Sequence, residues 1–215
     1  MLEVSGVHPL ILVLLTTVGA YFCGCFNGAV IVSKYILRDD VRNHGSGNAG
    51  LTNFYRVFGQ KKILFVILAD VMKTVVSVLL GAAVLDTFCG QPVIGKLLGG
   101  LFCIVGHMYP VMFGPKGGKG VLAGGTLALF MGWKVALIVW GLFILCLLLT
   151  RFVSLGSLSA ATAFPFAVGG FYQSYSAAIG IQELGVQSTF VASLTFVSFI
   201  GTWAGKQTAI PPVSR

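Results

Sequence analysis

Two glycine-rich stretches hold the residues whose types and spacing could do chemistry. The first is NHGSGNAGLTNFYRVFG, residues 43–59. It sets Gly45, Gly47 and Gly50 among Ser46, Asn48, Thr52 and Asn53, and Arg56 follows. Such glycines let the backbone take positive φ and turn its N–H groups outward. Successive amides of that kind form a concavity that takes an anion. The small polar side chains add neutral donors, and Arg56 adds a planar, permanently charged fork suited to phosphate or carboxylate. The second stretch is GHMYPVMFGPKGGKGVLAGGT, residues 106–126, where Lys116, Gly117, Gly118, Lys119 and Gly120 lead into an apolar run. Here too amides and a helix start would point at one spot. A third, shorter stretch is RFVSLGS at 151–157, with Arg151 and Ser154. Arg151 there is either an anion contact or a marker of the membrane boundary.

What these residues exclude narrows the chemistry. Counting back from Lys119, Phe113 occupies the place of the first glycine of a nucleotide-binding P-loop, and Gly120 stands where Ser or Thr belongs. Nucleotide hydrolysis is therefore not expected. No His/Cys set has metal-ligand spacing, and Cys23, Cys25, Cys89, Cys103 and Cys146 lie in or beside apolar runs as small hydrophobes. Neither metal nor cofactor is expected. Five positions beyond His8, His44 and His107 stand Val13, Ala49 and Met112, so the His-x-x-x-x-Asp dyad of many acyltransferases is missing. Two roles stay open for His107: packing at a helix end, or contact with a substrate. Asp70 and Lys73, three residues apart within an apolar run, share a helix face. They are either a functional intramembrane pair or a structural one.

The elements that must position these groups are membrane helices. Of 215 residues, 56% are hydrophobic and only 9% charged, too little polar surface to cover a soluble domain. Apolar runs near 9–33, 60–85, 92–112, 120–132, 133–150, 154–171 and 187–205 predict about seven transmembrane helices. The fourth run is short and glycine-bounded, so it is a partial span or fuses with the fifth. The fold expected is all-α: one polytopic membrane helix bundle, residues 1–215 forming a single domain. MLEVSGVHP holds no Lys or Arg, so the start is not expected to be a secretory signal.

Charge orients the bundle. Seven crossings put Lys34, Arg38, Arg42, Arg56, Lys61, Lys62, Lys116, Lys119, Arg151, Lys206 and Arg215 on one side. Lys96, Lys134, Glu3, Asp86 and Glu183 fall on the other. The first side is therefore expected in the cytoplasm, and all three polar stretches with it. The net charge of +8 reflects topology and attraction to the bilayer's anionic head groups; no basic soluble face for nucleic acid is present. Two anion-binding loops at a membrane surface suit a reaction between two phosphate-bearing partners, one of them lipidic.

The sequence resembles the bacterial acyl-phosphate:glycerol-3-phosphate acyltransferases (PlsY-type). GSGNAGLTNFYRVFG is similar to their first motif, approximately GSGNxGATNxxRxxG, and GHMYPVMFGPKGGKGV to their second region. DVMK at 70–73 and RFVSLGS at 151–157 follow the family order. The resemblance implies a seven-span bundle in the bacterial plasma membrane. It would transfer a fatty acyl group from acyl phosphate to the 1-hydroxyl of glycerol 3-phosphate, giving lysophosphatidic acid for phospholipid synthesis. It implies catalytic roles for Ser46, Arg56, His107 and Lys119. Substrate or phosphate binding falls to Gly45, Gly47, Asn48, Gly50, Thr52, Asn53, Lys116, Gly117, Gly118, Gly120, Arg151 and Ser154. The attacking hydroxyl's proton goes to His107 or to a substrate phosphate. Leu51 stands for the usual Ala, Tyr109 for Phe and Pro115 for a common Phe. FIGTWAGKQTAIPPVSR, residues 199–215, lacks the His, Asn and Glu usual in the family's polar tail. The alternatives are a catalytically weakened homologue that binds glycerol phosphate or regulates lipid synthesis, and a small anion transporter. Acyl-chain preference and oligomeric state are not encoded legibly.

Overall fold

The computed structural model describes residues 8–60 and 62–179. The expected span at 187–205 lies outside them, as do Glu3, Lys61, Glu183, Lys206 and Arg215. Among the described residues every regular element is helical. α1 (Pro9–Cys25) is followed by the short α2 (Gly28–Ile31), which runs on as a π-helical turn over Val32–Ile36. The single first run expected from sequence is thus broken at Phe26–Asn27. The cause is Asn27, whose Oδ1 accepts from the Val30 amide at 3.1 Å and starts a new helix. α3 (Leu51–Phe58) is a short helix with Asn53 and Phe54 on its buried face, and α4 (Ile63–Cys89) and α5 (Pro92–Met108) are long spans. α6 (Val121–Met131), α7 (Trp133–Thr150) and α8 (Val153–Ile179) complete the described chain.

Among the described residues five segments are long and apolar enough to cross a membrane: Pro9–Ile36, Ile63–Cys89, Pro92–Phe113, Trp133–Thr150 and Val153–Tyr172. α6 has 11 residues, which is about 16 Å of rise and near half of a bilayer core. It ends where Gly132 takes φ 127°, and α7 begins at the next residue, so the fourth run is a partial span and does not fuse with the fifth. Its short length is tolerated because Ala123, Thr126, Leu127, Ala128 and Met131 are buried in protein.

Small residues set the helix spacing in the first half of the bundle. A Cβ on Gly81 of α4 would collide with the Gly95 carbonyl of α5, and one on Gly106 of α5 with the Tyr21 carbonyl of α1. Lipid is as apolar as leucine, so close backbone approach, more than exclusion of apolar surface, holds these helices together. α6, α7 and α8 pack over a core that includes Ile104, Leu127, Met131, Val135, Phe164 and Val168. Leu137, Leu145, Leu148 and Leu149 project outward as a lipid-facing surface.

Candidate active site

The three polar stretches meet at one end of the bundle. The first loop is shaped by Asn53, near the start of α3. Its Oδ1 accepts the Ser46 amide at 2.9 Å, and its Nδ2 donates to the carbonyls of Val41 and His44, each at 3.1 Å. Gly45 (φ 58°) and Gly47 (φ 66°) supply the left-handed turns around that anchor. Asn53 therefore spends its carboxamide on the loop backbone. The Ser46 hydroxyl makes no hydrogen bond among the described residues. Gly50 caps α3 without a side-chain acceptor, so no cap side chain takes up the first-turn amides. Thr52 and Arg56 are exposed on the same helix.

The second loop returns from α5 through a turn of 3₁₀ helix at Val111–Phe113. Gly117 donates to the Met108 carbonyl and Gly118 to the His107 carbonyl, each at 3.1 Å. A Cβ on either glycine would run into α5's C-terminal end: His107 and Met108 carbonyls at Gly117, the His107 ring at Gly118. Gly120 (φ 74°) starts α6, again with no side-chain cap. The loops touch: the Gly118 Cα lies 3.9 Å from where a Gly50 Cβ would stand. An Asp40–Arg42 ion pair at 2.7 Å strengthens the junction, because Arg42 also donates to the Phe113 carbonyl of the second loop. Arg42 holds the Asp40 carboxyl below the usual carboxylate range, chiefly by hydrogen bonding.

Lys119 links the remaining stretch. Its Nζ donates to Ser154 Oγ at 2.7 Å, in the first turn of α8. Burial lowers its pKa, and the nearby Arg56 guanidinium lowers it further. Two cations held in mutual repulsion call for an anion between or beside them. Lys116 and Arg151 are exposed at the rim, Arg151 in a left-handed conformation (φ 60°) that ends α7. Ser46, Arg56, Lys119 and Ser154 thus belong to loops and helix ends that the fold gathers together. Beside Gly120 opens an apolar cavity between α5, α6, α7 and α8, lined by Ile104, Gly124, Trp140, Phe143, Ala161 and Phe164.

His107 sits beneath the loops, 4% exposed, not on an open surface. Its Nδ1 lies 2.7 Å from Lys73 Nζ, 3.4 Å from Asn27 Nδ2 and 3.5 Å from Asp70 Oδ1. Asp70 and Lys73 do pair, at 2.8 Å. Sequence reasoning passed over Asn27 and the Asp40–Arg42 clip. The signal for the first was an Asn-Gly inside an apolar run; for the second, an acid two residues before an arginine at the loop entry. Among the described residues no group of three His, Cys, Asp or Glu side chains is placed to hold a metal.

Among the described residues the fold is an all-helical membrane bundle in which two joined glycine loops lie beside an apolar cavity, the architecture of an integral membrane protein with a polar site at one end. The family model described as Glycerol-3-phosphate acyltransferase matches residues 14–205, and the chain belongs to that family. A glycerol-3-phosphate acyltransferase of Thermoanaerobacter pseudethanolicus is 35% identical over 160 residues, covering 74% of this chain and 78% of that one. One of Finegoldia magna is 40% identical over 137 residues, covering 64% and 66%. Among solved structures, PlsY (YgiH), an integral membrane glycerol 3-phosphate acyltransferase, is similar in its glycerol 3-phosphate form, with TM-score 0.70, 28% identity and coverage of 90% and 88%. Its lysophosphatidic acid form gives 0.67, 27%, 88% and 87%.

Proposed function

We propose that residues 1–215 form a single integral-membrane acyltransferase domain that moves a fatty acyl group from acyl phosphate to the 1-hydroxyl of glycerol 3-phosphate. The product is lysophosphatidic acid. The observation that carries this reading is the junction of the two glycine loops, with Lys119 in one and Arg56 near that lysine, beside an apolar cavity. A soluble phosphoester can lie against the loops while a fatty chain lies among α5, α6, α7 and α8. The basic end faces the cytoplasm of a bacterial plasma membrane, on the charge asymmetry of the sequence.

Acyl phosphate is a mixed anhydride and already activated. The glycerol oxygen attacks the acyl carbon, a C–O ester bond forms, and the bond from acyl carbon to phosphate oxygen breaks. Positioning both substrates supplies much of the rate, up to about 7–11 kcal/mol in well-oriented systems. Arg56, Lys119 and the exposed Lys116 offset the repulsion between the two phosphates. The Ser46 hydroxyl and loop amides stabilise charge developing on the acyl oxygen and leaving group.

The proton of the attacking hydroxyl goes to the departing phosphate. An ammonium donates and cannot accept, so the 2.7 Å contact with Lys73, shorter than the 3.5 Å to Asp70 Oδ1, supports His107 Nδ1 as acceptor with the ring hydrogen on Nε2. The nitrogen beside Gly118 then has no lone pair for a proton, which favours a binding and shaping role for His107 over that of general base.

The test is direct. Protein reconstituted in liposomes with palmitoyl phosphate and labelled glycerol 3-phosphate should form labelled lysophosphatidic acid, and Ser46→Ala and Arg56→Ala should abolish it. Wild-type protein that binds glycerol 3-phosphate yet forms no product would overturn the acyl-transfer reading.

A further inference from the structure

The Asp70–Lys73–His107–Asn27 cluster does more than neutralise two intramembrane charges. Lys73 is 6% exposed, Asp70 2%, His107 4% and Asn27 0%. All three donors of the Lys73 ammonium are in use, on Asp70 Oδ1 at 2.8 Å, His107 Nδ1 at 2.7 Å and the Phe26 carbonyl at 3.0 Å. That carbonyl is available because the helix breaks there. Asp70 Oδ1 also accepts the Gly28 amide at 3.1 Å, which fixes α2 on the other side of the break.

From this hub two arms reach the glycine loops. Asn27 Nδ2 donates to the Ala49 carbonyl at 3.0 Å, holding the first loop between Asn48 and Gly50. The His107 carbonyl accepts the Gly118 amide at 3.1 Å, holding the second. The arms converge, since a Cβ on Gly118 would meet both the His107 ring and the Ala49 carbonyl. A plain ion pair three residues apart on one helix needs neither arm.

We infer that Lys73 is a positioning residue: paired with Asp70, it sets the separation of the two glycine loops and so the fit of the phosphate of glycerol 3-phosphate between them. The inference rests on the acyltransferase reading for its substrate and not for its geometry. Lys73 touches no reacting atom, and its effect travels through Asn27 and His107.

The experiment uses the full chain in liposomes. Removing one charge alone strands the other in the bundle, so the variant is the neutral pair Asp70→Asn/Lys73→Met, with Asn27→Ser as the second. Serine still caps α2 but is too short to reach Ala49. Two readouts are taken: amide hydrogen exchange, and KM for each substrate separately. The expectation for the neutral pair is exchange at 45–50 and 114–120 at least tenfold faster, with α7 unchanged. Its KM for glycerol 3-phosphate rises at least tenfold, while KM for palmitoyl phosphate stays within twofold. Asn27→Ser should loosen 45–50 and raise the same KM. Unchanged loop exchange in both variants overturns the inference, as does an equal rise in both KM values. Wild-type protein without acyl transfer would sink the functional reading alone, since loop exchange still decides the coupling.

Discussion

Lys119 donates to Ser154 across 35 residues of chain, at 2.7 Å, so the last cation of the second loop is anchored on the first turn of α8. A lysine stem left free would lose rotamer entropy on gripping a phosphate; here that ordering is done beforehand. Ser154→Ala should therefore raise KM for glycerol 3-phosphate by about tenfold, the scale of one hydrogen bond to a charged group. kcat should change little, and Lys119→Ala should cost more than Ser154→Ala. Steady-state kinetics in liposomes checks both. Equal KM in wild type and Ser154→Ala would mean the anchor is idle.

Lys119 also sets a pH dependence, with opposite signs for binding and stability. Burial, then Arg56, holds its pKa below the usual lysine value. As pH rises through that lowered value the cation is lost, and KM for glycerol 3-phosphate should rise earlier than an ordinary lysine allows. Between the lowered and ordinary values, the unfolded chain binds more protons than the folded one, so stability should increase with pH in the same window. Lys119→Arg stays charged throughout and should remove both trends. Profiles of kcat/KM and Tm from about pH 7 to about pH 10 measure them, that range approaching the lysine value.

The sequence showed which residues to watch and which side they share; it did not show how they touch. Parity of the apolar runs placed the three polar stretches at one membrane face. The junction of Gly50 with Gly118 depends on how α1, α4 and α5 cross, and those crossings rest on glycine contacts between α4 and α5 and between α1 and α5. The i, i+3 spacing disclosed the Asp70–Lys73 pair, but His107, their third member, lies 34 residues beyond Lys73 and on another helix. Asn53 looked like a ligand because its type suits one. Only the fold shows its carboxamide turned back onto Val41, His44 and Ser46. The glycines at 120 and 132 marked the fourth run as short but left open whether it fused with the fifth; the φ of 127° at Gly132 is what separates α6 from α7.

The cavity beside Gly120 predicts a chain-length effect. Ala161 of α8 and Gly124 of α6 line it opposite Trp140 and Phe143. Ala161→Phe fills that space with a ring. The preferred acyl phosphate should then become shorter by several carbons, with KM for glycerol 3-phosphate unchanged. Each methylene left outside an apolar pocket forfeits about 0.8 kcal/mol of transfer energy, so the shift should be steep. A series of acyl phosphates assayed on both proteins reads it, and parallel profiles would place the acyl chain elsewhere.

Asn48 predicts how the enzyme recognises the glycerol part. Among the described residues its Oδ1, buried in the first loop, has no hydrogen-bond partner, a cost that native sites seldom keep without use. A carboxamide oxygen only accepts, and phosphate oxygens at neutral pH are acceptors too, so the matching ligand group is a hydroxyl. The 2-hydroxyl of glycerol 3-phosphate is the one not consumed by acylation. Asn48→Leu should raise KM by about tenfold, as one lost hydrogen bond would. Wild type should show a similar loss with 3-hydroxypropyl phosphate, which lacks that hydroxyl. The variant with this analogue should lose no more, because the same contact is missing from both partners. Additive losses in this cycle would show that Asn48 and the 2-hydroxyl act independently.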